Sequence, residues 1–201
     1  MVRFLDFLFP PRKDESALRS VSKDAFFSLL SPRLVETTRP QTVALMHFSD
    51  PNVKAALHEA KYHGTGTAID LLSATLAEYI REVEIIGTLV VVPIPLGPSR
   101  QRERGFNQVD EVVKRVAKEL GLTMDTELLA RARETESQVS LPRAKRIENM
   151  RGAFSAAHPA DPAYTYIVID DVTTTGATLQ AAIDALVKAG ARSIIPLALA
   201  H

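Results

Sequence analysis

The sequence predicts an α/β fold: a doubly wound, mostly parallel sheet with a small N-terminal hood. Two short, continuous β-branched runs, Thr88–Val92 and Tyr166–Ile169, have the composition of strands covered on both faces. Each leads through a loop into residues of helical periodicity, and a third apolar run, Ser193–Ala200, follows the second of those helices. Strand, loop, helix, strand at this spacing is a βαβ unit, whose right-handed crossover makes the strands parallel.

The elements follow in chain order. Met1–Lys13 is apolar but interrupted by Asp6 and closed by Pro10 and Pro11. It is too short for a secretory core or a membrane span and reads as an arm docking its Phe side on the body. Phe26, Phe27, Leu29 and Leu30 suggest a short buried element, and Ser31-Pro32 and Arg39-Pro40 break the chain. Asp50 is an N-cap with Pro51 at the first helical position; Val53, Ala56, Leu57 and Ala60 recur at helical spacing until Gly64 and Gly66. A second amphipathic helix spans about 68–82, through Leu71, Leu72, Leu76 and Ile80. After the strand at 88–92, Pro93–Pro98 is a turn that continues neither as ladder nor as helix. A helix at 108–120 stops at Gly121, an Arg-rich polar stretch covers 131–150 with a helix near 144–150, and the helix at 178–189 ends at Gly190. This division places the hood in residues 1–45 and the main domain in 46–201.

Composition narrows the function classes. A length of 201 residues suits one α/β domain with an attachment. The charge is balanced, 24 basic against 24 acidic residues, so global charge gives no reason to invoke nucleic acid or a membrane. There is no cysteine, which excludes disulfides, thiolate zinc sites and a cysteine nucleophile, and fits a reducing, cytoplasmic setting. His47, His58, His63, His158 and His201 show neither metal-ligand spacing nor a partnered nucleophile, so no metal ligands are assigned and no structural zinc is expected.

The chemistry is concentrated in Ile167–Thr178. In an open α/β sheet ligands sit beyond the carboxyl ends of the strands, where Asp170 and Asp171 fall. Two adjacent carboxylates suit the two hydroxyls of a ribose, and as unpaired core residues they would be costly. Thr173, Thr174, Thr175, Gly176, Ala177 and Thr178 follow, offering backbone N–H groups and hydroxyls at a helix N-terminus, with Gly176 letting the backbone close round an anion. The competing account, a βα turn with Asp and Thr as helix caps, explains one acid or one threonine but not the whole run.

This stretch resembles the signature that binds 5-phosphoribosyl-1-pyrophosphate (PRPP) in the type I phosphoribosyltransferases. Phe7–Pro11, Lys61–Gly64, Val92–Leu96, Arg102–Gln108 and Asn149–Phe154 look, in addition, like the ComF family of competence-associated, phosphoribosyltransferase-like proteins. The four-cysteine zinc ribbon typical of that family has no counterpart here and is not carried over. The resemblance implies transfer of phosphoribosyl from PRPP to a nitrogenous acceptor, with pyrophosphate leaving and Mg²⁺ bound mainly through PRPP. It assigns Asp170 and Asp171 to the ribose, 173–178 to the 5-phosphate, and Pro95, Leu96 and Gly97 to pyrophosphate, where a merely rigid turn is the competing account. Arg104 is a candidate phosphate contact; Arg100 and Arg102 are equally well read as solvated charges. Ser137–Arg143 is similar to the mobile lid of such enzymes, with Arg143, Arg146 and Arg151 as candidate anion contacts against a surface-helix reading. The implied partners are PRPP, a small-molecule acceptor and the DNA-uptake machinery, with a homodimer left open. A non-catalytic PRPP- or nucleotide-sensing accessory protein is the alternative.

Overall fold

The computed structural model describes residues 12–85, 87–133 and 143–201, except for the side chains of 143 and 144. The Phe7–Pro11 arm and the Ser137–Pro142 segment therefore lie outside the described residues, as does the Arg143 side chain.

Two short helices, α1 (Lys13–Arg19) and α2 (Lys23–Phe27), open the described chain, anchored by fully buried Leu18 and Phe26. Ser22 caps α2 by accepting from the Ala25 N–H at 3.1 Å. Strand β1 (Arg33–Val35) pairs antiparallel with β2 (Thr42–Met46), which joins the main sheet in parallel beside β8 (Ser193–Ala200). The 45/46 division suggested by composition thus falls inside β2.

Helices α3 (Pro51–His63) and α4 (Gly66–Glu82) follow β2, and β3 (Leu89–Pro93) leads into α5 (Pro98–Arg104) and α6 (Gln108–Leu120). After β4 (Thr123–Met124), a small antiparallel pair, β5 (Leu129–Arg131) with β6 (Phe154–Ala156), brackets α7 (Arg143–Met150). The chain closes with β7 (Thr165–Val172), α8 (Ala177–Lys188) and β8. The main sheet has the order β1-β2-β8-β7-β3-β4 and is parallel except at β1. Strand β7 is central, and its register places Ile169 opposite both Pro93 and Leu197.

The winding on both faces follows from period-2 alternation along buried strands. Val91, Ile167, Ile169, Leu197 and Leu199 face α3, α4 and α6, whereas Val90, Val92, Tyr166, Val168 and Ala198 face α8 and the β5–β6 pair. Both faces are covered, so the strands read as continuous hydrophobic runs, as the sequence predicts. Helix ends also obey local rules: Asp50 accepts from the N–H groups of Asn52 and Val53 at 2.8 and 3.2 Å, and Gly64 ends α3 at φ 59°. Removing that cap with Asp50→Ala should cost about 1 kcal/mol, or roughly 2–4 °C in Tm by thermal unfolding. Among the described residues no helix is long and apolar enough to cross a membrane.

Candidate functional site: a carboxylate pair and a helix start at the end of the central strand

Burial along β7 is complete from Thr165 to Ile169 and relaxes at Asp170, Asp171 and Val172. This is where the strand emerges from under its helices, and Asp170 and Asp171 are half-buried there. The Asp171 N–H donates to Asp170 Oδ1 at 2.9 Å, and the Val172 N–H donates to Asp171 Oδ1 at 2.8 Å. The backbone itself thereby orients both carboxylates. Burial, and next to it the charge of Asp171, push the Asp170 carboxyl up to about 8; Lys61 opposes the rise.

The loop then turns. The Thr173 N–H donates to Ala200 O at 3.0 Å, Gly176 adopts φ 73° at the N-cap of α8, where it offers no side chain, and the Ala177 N–H donates to Thr175 Oγ1 at 3.4 Å. The first N–H groups of α8 lack intrahelical acceptors by construction, which leaves an anion-attracting end. Thr173 Oγ1 is buried without a hydrogen-bond partner among the described residues. A buried hydroxyl in that state costs about 1–3 kcal/mol unless something satisfies it, so it points to a ligand oxygen or a water. Asp170 and residues 172–179 line one small pocket. Sequence reasoning attributed Gly176 to close approach of an anion. The structure adds a different neighbour: a Cβ at Gly176 would overlap the Thr37 carbonyl, whose carbon lies only 2.7 Å from it.

The loop 94–97 leaves β3 beside this site. Ile94 N–H donates to Ile169 O at 2.9 Å, Asn107 Nδ2 to Ile94 O at 2.9 Å, and Arg131 Nε to Pro95 O at 3.3 Å. Pro95, Leu96 and Gly97 are thus held at the same end of the sheet as Asp170. Arg131, stacked 4.6 Å over the Phe154 ring, is a site neighbour that sequence reasoning missed, since its role depends on the β5–β6 pairing. Asn107 also donates to Asp110 Oδ1 at 2.7 Å, and burial pushes Asp110 up to about 6.

A second missed group surrounds Asp171. Gln108 Nε2 donates to Asp171 Oδ2 at 2.8 Å, and Lys61 Nζ lies 3.4 Å from the same oxygen. Arg104 donates to Gln108 Oε1 at 3.3 Å, and its guanidinium lies 5.4 Å from the exposed Tyr62 ring. Lys61, Arg104 and Gln108 stood in motifs matched to the ComF family; only Arg104 was assigned a site role from sequence. Arg146 NH1 reaches Thr174 Oγ1 at 3.4 Å, so this candidate from α7 meets the loop. Arg100 and Arg102 lie on α5 with Arg104.

Two further features lie outside the strand-end cluster. A cavity of about 430 Å³ is lined by Glu36, Thr37, Thr38, Arg39, Gln41 and Gln180, beside the Gly176–Thr37 contact. And although the histidines carry no evident ligand spacing in sequence, the final turns of α3 bring His58, Glu59 and His63 together, with one ligand atom of each within 4.8 Å of the others.

No protein-family model matches the chain. Among curated proteins, it is 33% identical over 104 residues to the DNA utilization protein YhgH of Salmonella typhi, covering 52% of this chain and 45% of that protein. It is 32% identical over 106 residues to competence protein F of Haemophilus influenzae, covering 52% and 46% respectively. The matched stretch thus spans about half the length of each of these relatives. Among solved structures, adenine phosphoribosyltransferase from Leishmania tarentolae aligns with a TM-score of 0.41 and 16% identity, over 89% of this chain and 73% of that one. Over about half its length the chain is similar to the competence protein F and DNA utilization proteins, in line with the ComF-type resemblance of its motifs.

Proposed function

We propose that the chain binds PRPP at the end of β7 and transfers its phosphoribosyl group to a nitrogenous acceptor, releasing pyrophosphate, in a cytoplasmic role tied to DNA uptake. The observation that carries this reading is one continuous arrangement. Two backbone-oriented carboxylates, Asp170 and Asp171, lead into a loop whose Thr173 hydroxyl is buried without a partner among the described residues, and the loop runs into the N-terminus of α8.

In this reading Asp170 and Asp171 hold the ribose hydroxyls, and the N–H groups and threonines of 173–178 hold the 5-phosphate. The 95–97 loop meets pyrophosphate, with Arg104 and Arg146 as cationic neighbours. The C1′–O bond to pyrophosphate breaks, its electron pair leaving with pyrophosphate, and a C1′–N bond forms. The chain contributes alignment and fixed charge rather than a covalent intermediate. The Asp170–Asp171 pair offers the hard oxygens that suit Mg²⁺, but Asp171 is already engaged by Lys61 and Gln108. That fits a metal held chiefly by PRPP oxygens, with the carboxylates reaching it through the sugar. When bound, Mg²⁺ would neutralise charge on the leaving group. The cavity beside Thr37 and Gln180 is the place the hood offers to an acceptor.

Calorimetric titration with PRPP, with and without Mg²⁺, tests the binding step, and a pyrophosphate-release screen over bases and amines tests transfer. Mg²⁺-dependent binding with turnover is expected. Binding without turnover for any acceptor supports the sensing alternative instead, and absence of binding removes both.

A further inference from the structure

The last two turns of α3 carry a cluster that the proposed PRPP chemistry does not use. His58 and His63 are exposed, with ring centroids 5.8 Å apart at an interplanar angle of 75°, and Glu59 is fully buried. One ligand atom from each of the three lies within 4.8 Å of the other two. Two imidazoles and one carboxylate are the donor set of open, three-ligand sites for borderline divalent ions.

The hydrogen-bond geometry around the three side chains suits metal binding. Asp14 Oδ2 on α1 lies 3.2 Å from His58 Nδ1. An Nδ1–H donated there leaves the Nε2 lone pair free, the carboxylate–histidine arrangement found behind metal-bound imidazoles. The hydrogen bonds of Glu59 are unevenly shared between its two oxygens. Oε2 accepts from Arg12 NH2 at 2.7 Å and from Thr65 Oγ1 at 2.7 Å, whereas Oε1 accepts only from Arg12 Nε, at 3.0 Å, among the described residues. One lone pair of Oε1 is therefore left for a cation. Both histidines are exposed enough to swing a ligand atom inward by the fraction of an ångström to an ångström that bonds of about 2.0–2.1 Å require.

We propose that His58, His63 and Glu59 form a binding site for a Zn²⁺-class divalent ion, with Asp14 supporting His58 from α1 and solvent completing the coordination shell. The site is separate in place and chemistry from any Mg²⁺ carried by PRPP: imidazole donors select zinc, cobalt or nickel over magnesium. It joins α1 to the end of α3, two residues before His63 on which Lys61 meets Asp171. It does not hold the fold together, because Leu18 and Arg12 already dock α1 through burial and ion pairing.

The test is calorimetry and cobalt absorption spectroscopy on the chelator-stripped full chain, in excess Mg²⁺. One equivalent of Zn²⁺ should bind, and Co²⁺ should give a ligand-field spectrum of low coordination number. His58→Gln and His63→Gln should each weaken binding at least tenfold, the double variant should abolish it, and Asp14→Asn should weaken it about tenfold. Far-UV circular dichroism of the metal-free variants, whose altered side chains are exposed, checks that they fold. Zn²⁺ binding that survives in the folded double variant, displacement by Mg²⁺, or no uptake and no cobalt spectrum in the wild type would each overturn the assignment.

Discussion

Gly176→Val should abolish PRPP binding and lower thermal stability at the same time. Two separate costs fall on that position. At φ 73° any L side chain is strained, by about 1–2 kcal/mol in the left-handed region. The added carbon would also run into the Thr37 backbone, and overpacking of that kind costs about 1–3 kcal/mol. The overlap relaxes by moving the turn 36–41 off the start of α8, whereas the backbone strain stays at residue 176. That turn is otherwise held by the Arg39 N–H donating to Gln180 Oε1 at 2.8 Å. The expected sum, about 2–5 kcal/mol, corresponds to a fall in Tm of roughly 4–20 °C in a chain of this size. The sheet should persist, because Ile167, Val168 and Ile169 are packed independently of the turn. Calorimetry with PRPP, differential scanning calorimetry and circular dichroism check the three parts. Wild-type affinity in the valine variant would refute the cradle, and an unchanged Tm would refute the Thr37 contact.

Replacing the carboxylates should separate binding from stability. Asp170→Asn and Asp171→Asn should each weaken PRPP binding by about 1–3 kcal/mol, a factor of roughly 5 to 150, through loss of carboxyl hydrogen bonds to the ribose hydroxyls. Their effects on the unliganded protein should differ. The Asp170 carboxyl is raised to about 8, mainly by burial, above its value in the unfolded chain. Its contribution is therefore fully present below about pH 4 and is lost as pH rises towards 8, because the folded state binds the proton more tightly over that window. Asn cannot ionise and escapes this loss. Asp170→Asn should then melt higher than wild type at pH 8.5 by at least about 2–4 °C, with the advantage shrinking towards pH 4. A higher melting point bought with weaker ligand binding is the behaviour of a group kept for function. Equal pH–stability curves for the two proteins would remove Asp170 as a destabilised site carboxyl, and unchanged affinity in both variants would remove the sugar clamp.

The sequence by itself determined the parts of this protein that depend on neighbours along the chain. Val90–Val92 and Ile167–Ile169 read as strands because central parallel strands need apolar side chains on both faces, so composition alone marks them. Helix α3 was legible to the residue at its start, since Asp50 and Pro51 act through N–H groups two and three positions away. The helix at Gln108–Leu120 ends where Gly121 permits a left-handed residue. Asp170 to Thr178 was recognisable because a strand end, an acid pair and a helix start are consecutive.

The tertiary structure decided what depends on residues far apart in sequence. Strands β1, β4, β5 and β6 have two or three residues each, too few for a period to register, and exist through their pairing partners. Lys61 and Gln108 meet at one oxygen of Asp171 from 110 and 63 positions away, which no local pattern encodes. Arg131 acquires its place beside Pro95 only because β5 pairs with β6. Helical spacing alone places His58 and His63 on different sides of a helix, whereas in the folded chain one ligand atom of each lies within 4.8 Å of the other and of Glu59. The need for glycine at 176 is likewise shared: local geometry asks for its positive φ, while the contact with Thr37, 139 positions earlier, removes the space for a side chain.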